Sequence, residues 1–305
     1  MFRKLLRDRN VIMLLGLIIG LAWGGAASWT EPLTLPGLAL VMTLSTMGIS
    51  GNLFRPIGNV VNPALAGIAM SYAVFAGVIL ALSLLFVKDP ALRTGFILLA
   101  AVPPAVAVIP FTLFLKGNAT FSLIGTIGGY LGGLVIMPLI TLCFIGADFF
   151  NPFKVILVLG ELIVVPLVAS RILMWAGLER RLAPVRGSII NWTFFVFNYT
   201  VVGLNRDVFL HKPLSLIPLV LIAFASMFLL GWAIEKASDL MRIDPEIRTS
   251  LVLLGTLKNY GIAGGVALAL FNKEATLPST VSAILMILYV VWLQYRQRPI
   301  NGVRA

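Results

Sequence analysis

The chain has 305 residues, of which 59% are hydrophobic and 11% are charged, whereas a soluble domain carries about 25% charged residues. So few charges cannot coat a water-exposed globule, and the sequence therefore predicts an integral membrane protein without a soluble domain. One cysteine and one histidine exclude an internal disulfide and the usual Cys or His metal sites. The net charge of +11 lies in short basic clusters between apolar runs, a pattern typical of membrane topology and not of a nucleic-acid partner.

Ten apolar runs are long enough, at about 20 residues, to cross a hydrocarbon core of about 30 Å. They occupy residues 10–29, 35–53, 60–87, 94–115, 120–146, 154–177, 188–205, 214–234, 249–271 and 277–295. With the N-terminus inside, the inner segments hold fifteen of the 23 lysines and arginines, and the outer segments hold six. The positive-inside rule therefore predicts a protein of the cell (inner) membrane with both termini in the cytoplasm, which an even number of spans allows.

Two segments at the start of the fourth and ninth runs repeat each other. Residues 89–94 read Asp-Pro-Ala-Leu-Arg-Thr and residues 244–249 read Asp-Pro-Glu-Ile-Arg-Thr, an offset of 155 residues. After the same two runs, residues 116–120 match residues 273–276 at nearly the same offset. An Asp-Pro pair is also a common way to start a helix, so a repeat is one of two interpretations of the motif.

Five runs separate the two copies, so the first copy starts on the outer side of the membrane and the second on the inner side. The repeat therefore predicts an all-α polytopic membrane protein with ten transmembrane helices in two inverted five-helix repeats. The first repeat covers residues 1–150 and the second covers residues 151–305, within a single integral membrane domain. Secondary transporters of this architecture alternate access to a site near the bilayer midplane, and interrupted helices mark that site.

Both the fourth and the ninth runs are interrupted in sequence. Proline lacks an N–H donor and pushes the preceding residue out of the helical region, and glycine weakens a helix interior. The predicted helix-break residues are Pro103, Pro104 and Pro110 in the fourth run and Gly255, Gly264 and Gly265 in the ninth. Unwound backbone in a membrane occurs only where it is buried in protein or lines a wet cavity, so helices 4 and 9 are predicted to be discontinuous. A proline kink that serves packing alone is the alternative for the fourth run.

The residues around both interruptions resemble the bile acid:sodium symporter (BASS) superfamily. The matching stretches are residues 103–118, the following run with Ser122 and Thr126, and residues 258–278, which begin Lys-Asn-Tyr-Gly. Bacterial members of this superfamily carry organic anions on ten helices in two inverted repeats, with helices 4 and 9 discontinuous and crossing near the centre. The resemblance implies a divergent bacterial-type member with the same fold and a small organic anion, of the carboxylate type, as its substrate.

The chain departs from the family at the two sodium sites. Where the family has a Ser-Asn pair in helix 4, this chain has Val108 and Ile109, which offer only backbone carbonyls. The family's Glu in helix 9 falls on Leu254 and its Gln falls on Lys258, and only Asn259 keeps its identity. The neutralising carboxylate is replaced and an ammonium is added, so we expect degenerate sodium sites and a protein that is not coupled to sodium.

The remaining ligands of the family's sodium ions fall on hydroxyl-bearing residues. Ser122 and Thr126 match two hydroxyls of helix 5, and Ser71 lies near the position of a Gln in helix 3. The residues predicted to bind substrate or ion are Lys258, Asn259, Thr256, Gly261, Ser122, Thr126, Ser71 and Glu161. Glu161 is the one carboxylate clearly inside a run, and it either pairs with Lys258, carries protons or lies in an outer aqueous vestibule.

Lys258 lies nine residues after the start of its run, too deep for its ammonium to reach the interface easily. A charged lysine at the bilayer centre costs about 2.5–3.5 kcal/mol on insertion scales. We therefore expect the ammonium to occupy the vacated cation site and to hold the crossing of helices 4 and 9 as a built-in ion. A buried lysine that releases its proton would instead allow proton coupling.

The first and seventh runs carry residues that predict helix contacts. Gly16, Gly20 and Gly24 form a ladder of small residues, which lets membrane helices pack closely. We expect this ladder to serve packing within one chain, and a homodimer is the alternative to a monomer. On the seventh run, Asn198 and Tyr199 either line a substrate path or bond to neighbouring helices.

These observations predict a secondary active transporter that moves a small organic anion by alternating access, with Lys258 in place of the coupling cation. Helix N-termini at the interruptions present free N–H groups and a positive dipole end, which favour an anion. The expected partners are this anion and the lipid bilayer, with no cofactor, no nucleic acid and a disfavoured Na⁺. Neither an Asp-Asp-x-x-Asp cluster nor a nucleophile–base pair supports an enzyme. The alternatives are a Na⁺-coupled organic anion or bile acid symporter, an auxin-efflux-type carrier and a passive channel.

Overall fold

The computed structural model describes residues 9–47, 58–105, 107–146, 157, 161 and 164–297. Within these residues the chain folds into helices, and no strand is formed. Five helices are long and apolar enough to cross a membrane, namely Val60–Phe86, Ala119–Ile145, Glu179–Leu204, Pro213–Leu240 and Glu274–Arg296. The prediction of an all-helical integral membrane protein is therefore confirmed at this level. Both termini and the predicted boundary between residues 150 and 151 lie outside the described residues.

The described residues of the first half form six main helices. They are α1 (Arg9–Ala22), α2 (Thr34–Thr46), α3 (the consecutive segments Gly58–Ile68, Ala69–Phe75 and Ala76–Phe86), α4 (Pro90–Ala101), α5 (Val108–Phe114) and α6 (Ala119–Ile145). The middle segment of α3 is a π-helix. Two short helical turns, Ala27–Thr30 and Glu31–Leu33, connect α1 to α2.

The described residues of the second half form six more. They are α7 (Val165–Trp175), α8 (Glu179–Leu204), α9 (the consecutive segments Ile217–Phe224, Ala225–Leu229 and Leu230–Leu240), α10 (Pro245–Leu254), α11 (Tyr260–Leu270) and α12 (Leu277–Gln297). The middle segment of α9 is again a π-helix. Short turns at Arg206–His211, Pro213–Leu216 and Glu274–Thr276 complete the connections.

Each of the ten predicted runs contains helix, but some boundaries differ. α1 ends at Ala22, before the predicted end of the first run at residue 29. α8 begins at Glu179, nine residues before the predicted start of the seventh run. Its first residues, Glu-Arg-Arg-Leu-Ala, are good helix formers, so the basic residues predicted for an inner loop, among them Arg186, lie on the helix itself.

Both Asp-Pro motifs start helices, which is compatible with either interpretation of the motif. The carboxylate of Asp89 accepts a hydrogen bond from the Leu92 amide at the first turn of α4. The carboxylate of Asp244 accepts bonds from the Glu246 and Ile247 amides at the first turn of α10. In both helices proline occupies the first position, where no intrahelical N–H bond is lost.

The helices pack in two groups. In one group α8 packs on α1 and α2, and α2 also packs on α7. The second group contains α3 to α6 and α9 to α12, with α4 in contact with α3, α6, α11 and α12. A Cβ added at Gly16 would lie 2.8 Å from the Phe195 carbonyl oxygen of α8, so the glycine ladder of α1 packs against a helix of the same chain, as predicted.

Three residues predicted to break helices lie inside helices instead. Pro110 is in the first turn of α5, where the backbone amides have no partner within the helix in any case. Gly264 and Gly265 lie within α11. A Cβ at Gly264 would lie 2.8 Å from the Ser279 hydroxyl and one at Gly265 would lie 2.6 Å from Leu38 Cδ1, so these glycines serve close packing and do not unwind the helix.

Candidate functional site

The two predicted interruptions are present and contact each other. α4 ends at Ala101 and α5 begins at Val108, and residues 255–259 separate α10 from α11. Pro103, Pro104 and Gly255 lie in these segments, as predicted. Because α4 packs against α11 and α5 packs against α10, the four half helices surround the place where the two segments meet.

A short antiparallel bridge joins the two segments. The Ala105 amide donates a hydrogen bond to the Leu257 carbonyl at 3.1 Å, and the Asn259 amide donates to the Pro103 carbonyl at 3.0 Å. A membrane interior offers no water to backbone groups outside helices. The bridge therefore gives the unwound segments partners that helix geometry no longer supplies.

Pro104 occupies a position of this bridge where a proline is tolerated. Residues opposite each other in an antiparallel pair alternate between hydrogen-bonded and non-hydrogen-bonded positions. Pro104 and Lys258 are directly opposite each other, and the two bridge bonds are made by the residues on either side of them. The missing N–H of Pro104 therefore removes no bond from the bridge.

The Lys258 side chain extends from this bridge to the end of α4. Its ammonium Nζ donates hydrogen bonds to the carbonyl oxygens of Ala100 at 3.0 Å and of Val102 at 2.6 Å. Such carbonyls at a helix C-terminus lack intrahelical partners and carry the negative end of the helix dipole. The residue is 1% exposed, so the Lys258 amino group is buried and bonded to backbone oxygens.

Two aromatic rings complete the surroundings of the ammonium. Nζ lies 4.3 Å from the centroid of the Tyr72 ring and 5.5 Å from that of Phe75. Aromatic faces attract cations at these distances. Both rings belong to the π-helical segment of α3, and the Tyr72 hydroxyl is held by a 2.9 Å bond to the Gly129 carbonyl of α6. The ammonium is thus surrounded by carbonyl oxygens and ring faces.

Asn259 starts α11 and links it to α6. Its Oδ1 accepts a hydrogen bond from the Ile262 amide at 3.1 Å, as an N-cap residue does. Its Nδ2 donates to the Tyr130 hydroxyl at 2.9 Å. Asn259 therefore fixes the start of the second half helix beside Lys258.

The hydroxyls predicted to bind a cation are buried, but their bonds go elsewhere. Thr256, in the interruption, donates to the Val252 carbonyl of α10, and Thr126 donates to the Ser122 carbonyl one turn earlier in α6. The Ser122 hydroxyl lies 2.7 Å from that of Thr112 on α5. For Ser71, no hydrogen-bond partner is found among the described residues. In the described part of the chain, none of these hydroxyls is therefore hydrogen-bonded to the Lys258 ammonium.

Glu161 lies apart from Lys258. The Glu161 side chain is exposed, whereas that of Lys258 is buried against α4 and α3. No ion pair between the two is found in the described part of the chain. Of the three alternatives for Glu161, pairing with Lys258 is the one that the geometry does not support.

A cavity of about 390 Å³ lies beside the bridge, within the size range of small-molecule sites. Its polar lining residues are Ser45, Arg186, Asn198, Lys258, Asn259 and Tyr260. The other lining residues are Met13, Val41, Met42, Ala105, Ala107, Ile109, Leu113, Leu123, Ile190, Phe194, Phe197, Gly261, Ala283 and Met286. Of the predicted site residues, Lys258, Asn259 and Gly261 therefore share one cavity, and no carboxylate is among the described residues that line it.

Three residues of this region were not predicted from the sequence as site residues. Arg186 was assigned to an inner loop because the start of α8 was placed too late. The aromatic side chains of Tyr72 and Tyr130 looked like ordinary apolar residues of membrane helices. A count of good helix formers before residue 188 would have extended α8 to include Arg186, whereas the contacts of the two tyrosines have no local signal in the sequence.

Comparison with known proteins assigns no family to the chain. The sequence matches no family model and no curated protein. The function must therefore be argued from the geometry of the site.

Proposed function

We propose that the protein is a secondary transporter for small organic anions that is not coupled to sodium, with the Lys258 ammonium as a built-in cation. The observation that carries this proposal is the pair of hydrogen bonds from Nζ to the carbonyl oxygens of Ala100 and Val102. Carbonyl oxygens are the ligands that a hard cation such as Na⁺ takes. Because the Lys258 ammonium is covalently attached and already bonded to these oxygens, it takes the place of a free cation.

The proposed architecture is ten transmembrane helices in two inverted five-helix repeats. Three kinds of feature recur at an offset of 155 residues or close to it and support this proposal. The helix-starting residues are Asp89 and Asp244, and both of the following helices are interrupted. The π-helical segments of α3 and α9 place Ser71 and Ser226 at the same offset, and both serines are fully buried.

An inverted repeat suits a carrier for a physical reason. Two halves of similar structure and opposite orientation can exchange conformations, which opens a central site first to one side of the membrane and then to the other. The cavity lies where α1, α2 and α8 face the interrupted helices and α12. Movement of the first helix group against the second would therefore change access to the cavity.

The proposed substrate is anionic because of the charges at the cavity. Arg186 and Lys258 both line it, and carboxylates are absent from the described lining. Most of the remaining lining is apolar, which suits an organic ion better than an inorganic one. The resemblance of residues 103–118 and 258–278 to the BASS superfamily agrees with this substrate class.

Flux measurements with purified protein in liposomes test the proposal. The liposomes are loaded with 1-naphthalenesulfonate, a fluorescent organic monoanion that stays charged at every pH used. We expect saturable efflux that is accelerated by the same anion outside and is equal in Na⁺ and K⁺ buffers. Efflux should be lost in Lys258→Ala and retained in Lys236→Ala, a substitution of an exposed lysine on α9.

Three other outcomes of the flux experiment would each contradict a part of the proposal. A steep dependence on Na⁺ would show coupling to sodium and contradict the role given to Lys258. Flux without saturation or counterflow would indicate a passive channel. A rate no higher than that of protein-free liposomes would contradict transport of organic monoanions.

A further inference from the structure

Arg186 is a cation at the cavity without a counter-ion in the part of the chain that the structure describes. It lies on α8, its side chain is partly buried, and it lines the cavity. Among the described residues, no ion pair or hydrogen bond of its guanidinium is found. Removing a charge from water is unfavourable unless an opposite charge or hydrogen bonds compensate. The guanidinium therefore offers its donors to a group that enters the cavity.

Lys258 cannot offer its donors to a group that enters the cavity. Its ammonium already donates to two carbonyl oxygens and lies against the Tyr72 ring. An anion that approached Nζ would have to displace these partners. Of the two basic residues in the described lining, Arg186 is thus the one with donors available, and a guanidinium is suited to bidentate contact with a carboxylate or sulfonate.

The wall of the cavity on α8 has a polar and an apolar part. Arg186 is followed at helical spacing by Ile190, Phe194 and Phe197, and Asn198 lies next to the last of these. Positions four residues apart lie on one face of a helix. Since a helix rises about 1.5 Å per residue, this wall extends about 18 Å from Arg186 to Asn198.

We infer that Arg186 binds the charged group of the substrate, and that the cavity selects organic monoanions whose apolar body lies along Ile190, Phe194 and Phe197. This inference rests on the proposed function and assigns its substrate-binding residue. Since Arg186 is the one available cation among the described residues of the lining, these residues offer no partner for a second negative charge. A dianion would leave one charge buried and unpaired, and a cation would face Arg186 directly, so both are disfavoured.

Thermal unfolding of the purified full-length protein tests this assignment with four probes of similar size. They are 1-naphthalenesulfonate, 1,5-naphthalenedisulfonate, 1-naphthalenemethanol and 1-naphthylmethylammonium. Since a ligand that binds the folded state raises the melting temperature, we expect the monosulfonate to raise it more than the other three. In Arg186→Gln the monosulfonate should bind about tenfold more weakly or worse, because a hydrogen-bonded charge pair is lost.

Further variants separate binding from effects on folding. Arg181→Gln changes an exposed arginine of the same helix that does not line the cavity, and it should bind the monosulfonate like the wild type. Arg186→Lys keeps the charge and should retain part of the binding. Arg186→Glu reverses the charge and should shift the preference to 1-naphthylmethylammonium, which a purely structural role of Arg186 would not produce.

The outcomes that overturn the inference differ from those that overturn the proposed function. Equal binding of the monosulfonate by wild type and Arg186→Gln would overturn it, as would equal binding of the dianion or the alcohol by wild type. Failure of every probe to bind wild type would also overturn it. If binding depends on Arg186 but no flux occurs in liposomes, the inference stands and the transport function fails.

Discussion

The buried Lys258 donates to carbonyls at the end of a helix, as several arginines do at other helix ends. A cation that donates to the last carbonyls of a helix is stabilised by hydrogen bonds and by the helix dipole. The other examples are Arg93 on Val87, Arg171 on Thr46 and Arg206 on Leu21, with donor–acceptor distances of 2.7–3.1 Å. Only Lys258 is fully buried among these, so it depends most on its carbonyl partners.

Truncation of Lys258 should destabilise the protein in a way that small cations reverse. Lys258→Ala leaves the carbonyls of Ala100 and Val102 without their donor, and an unsatisfied buried polar group costs about 1–3 kcal/mol. We therefore expect a lower melting temperature for the variant in thermal unfolding. Methylammonium, which is the missing end of the side chain, should raise the melting temperature of Lys258→Ala and leave that of the wild type unchanged.

Lys236→Ala is the matched control for this experiment. Lys236 is exposed on α9, so its truncation should change the melting temperature little, with or without methylammonium. If methylammonium raised the melting temperature of all three proteins equally, it would be acting on the protein in general. A melting temperature of Lys258→Ala equal to that of the wild type would contradict the stabilising role of the ammonium.

At the scale of elements, the contact between α3 and α6 depends on the absence of side chains. A Cβ added at Gly67 of α3 would overlap the backbone carbonyl of Gly125 on α6. Backbone cannot move aside as a side chain can, so the two helices would have to separate. The same helix α3 carries Tyr72 and Phe75, whose rings face Lys258, and a displaced α3 would carry both rings away from the ammonium.

Alanine substitutions at two glycines of α3 should therefore change the free energy of unfolding differently. Gly67→Ala should lower the free energy of unfolding by about 1–3 kcal/mol, the usual effect of overpacking. Gly77→Ala should be neutral or slightly stabilising, because a Cβ at Gly77 meets no atom within 4 Å and alanine has the higher helix propensity. Thermal unfolding of both variants measures the difference, and equal stability would contradict the close approach of α3 and α6.

The sequence predicted the elements best where the signal was local. The Asp-Pro motifs at residues 89 and 244 carry their own capping chemistry, and both start helices. The start of α8 was misplaced because the arginines after Glu179 were interpreted only as loop charges. Gly264 was misinterpreted because a glycine that weakens a helix and a glycine that allows close packing look the same in a sequence.

The candidate site was predictable only in part, because only some of its residues carry a local signal in the sequence. Lys258 and Asn259 stand out in sequence because polar residues are rare in apolar runs. The ligands of the Lys258 ammonium are backbone carbonyls of residues 100 and 102, and a carbonyl is present at every position of every sequence. The two π-helical segments likewise carry no recognised sequence pattern.

At the scale of the whole molecule, the two interrupted helices should begin on opposite sides of the membrane. Lys88 precedes the first Asp-Pro motif and is exposed, and Met241 precedes the second and is 73% exposed. With the exposed Cys143 replaced by serine, we expect Lys88→Cys to react with a membrane-impermeant maleimide from outside intact cells. Met241→Cys should react only in inverted vesicles or after permeabilisation.

Reaction of both cysteines from the same side would contradict the inverted repeat. Reaction of Lys88→Cys only from inside, and of Met241→Cys only from outside, would keep the repeat but reverse the orientation given by the basic loops. The unsubstituted Cys143→Ser background, which has no cysteine left, provides the blank for both measurements.

The bridge between the two interruptions also affects the order in which the protein can be made. The Lys258 donor lies 158 and 156 residues after the carbonyls of Ala100 and Val102 that it binds, and Leu257 also lies in the second half, far along the chain from Ala105. When a ribosome has delivered only α1 to α6 to the membrane, these groups of the first half are still without their partners. We therefore expect the first half to complete the packing around its interruption only after the ninth apolar run has entered the membrane.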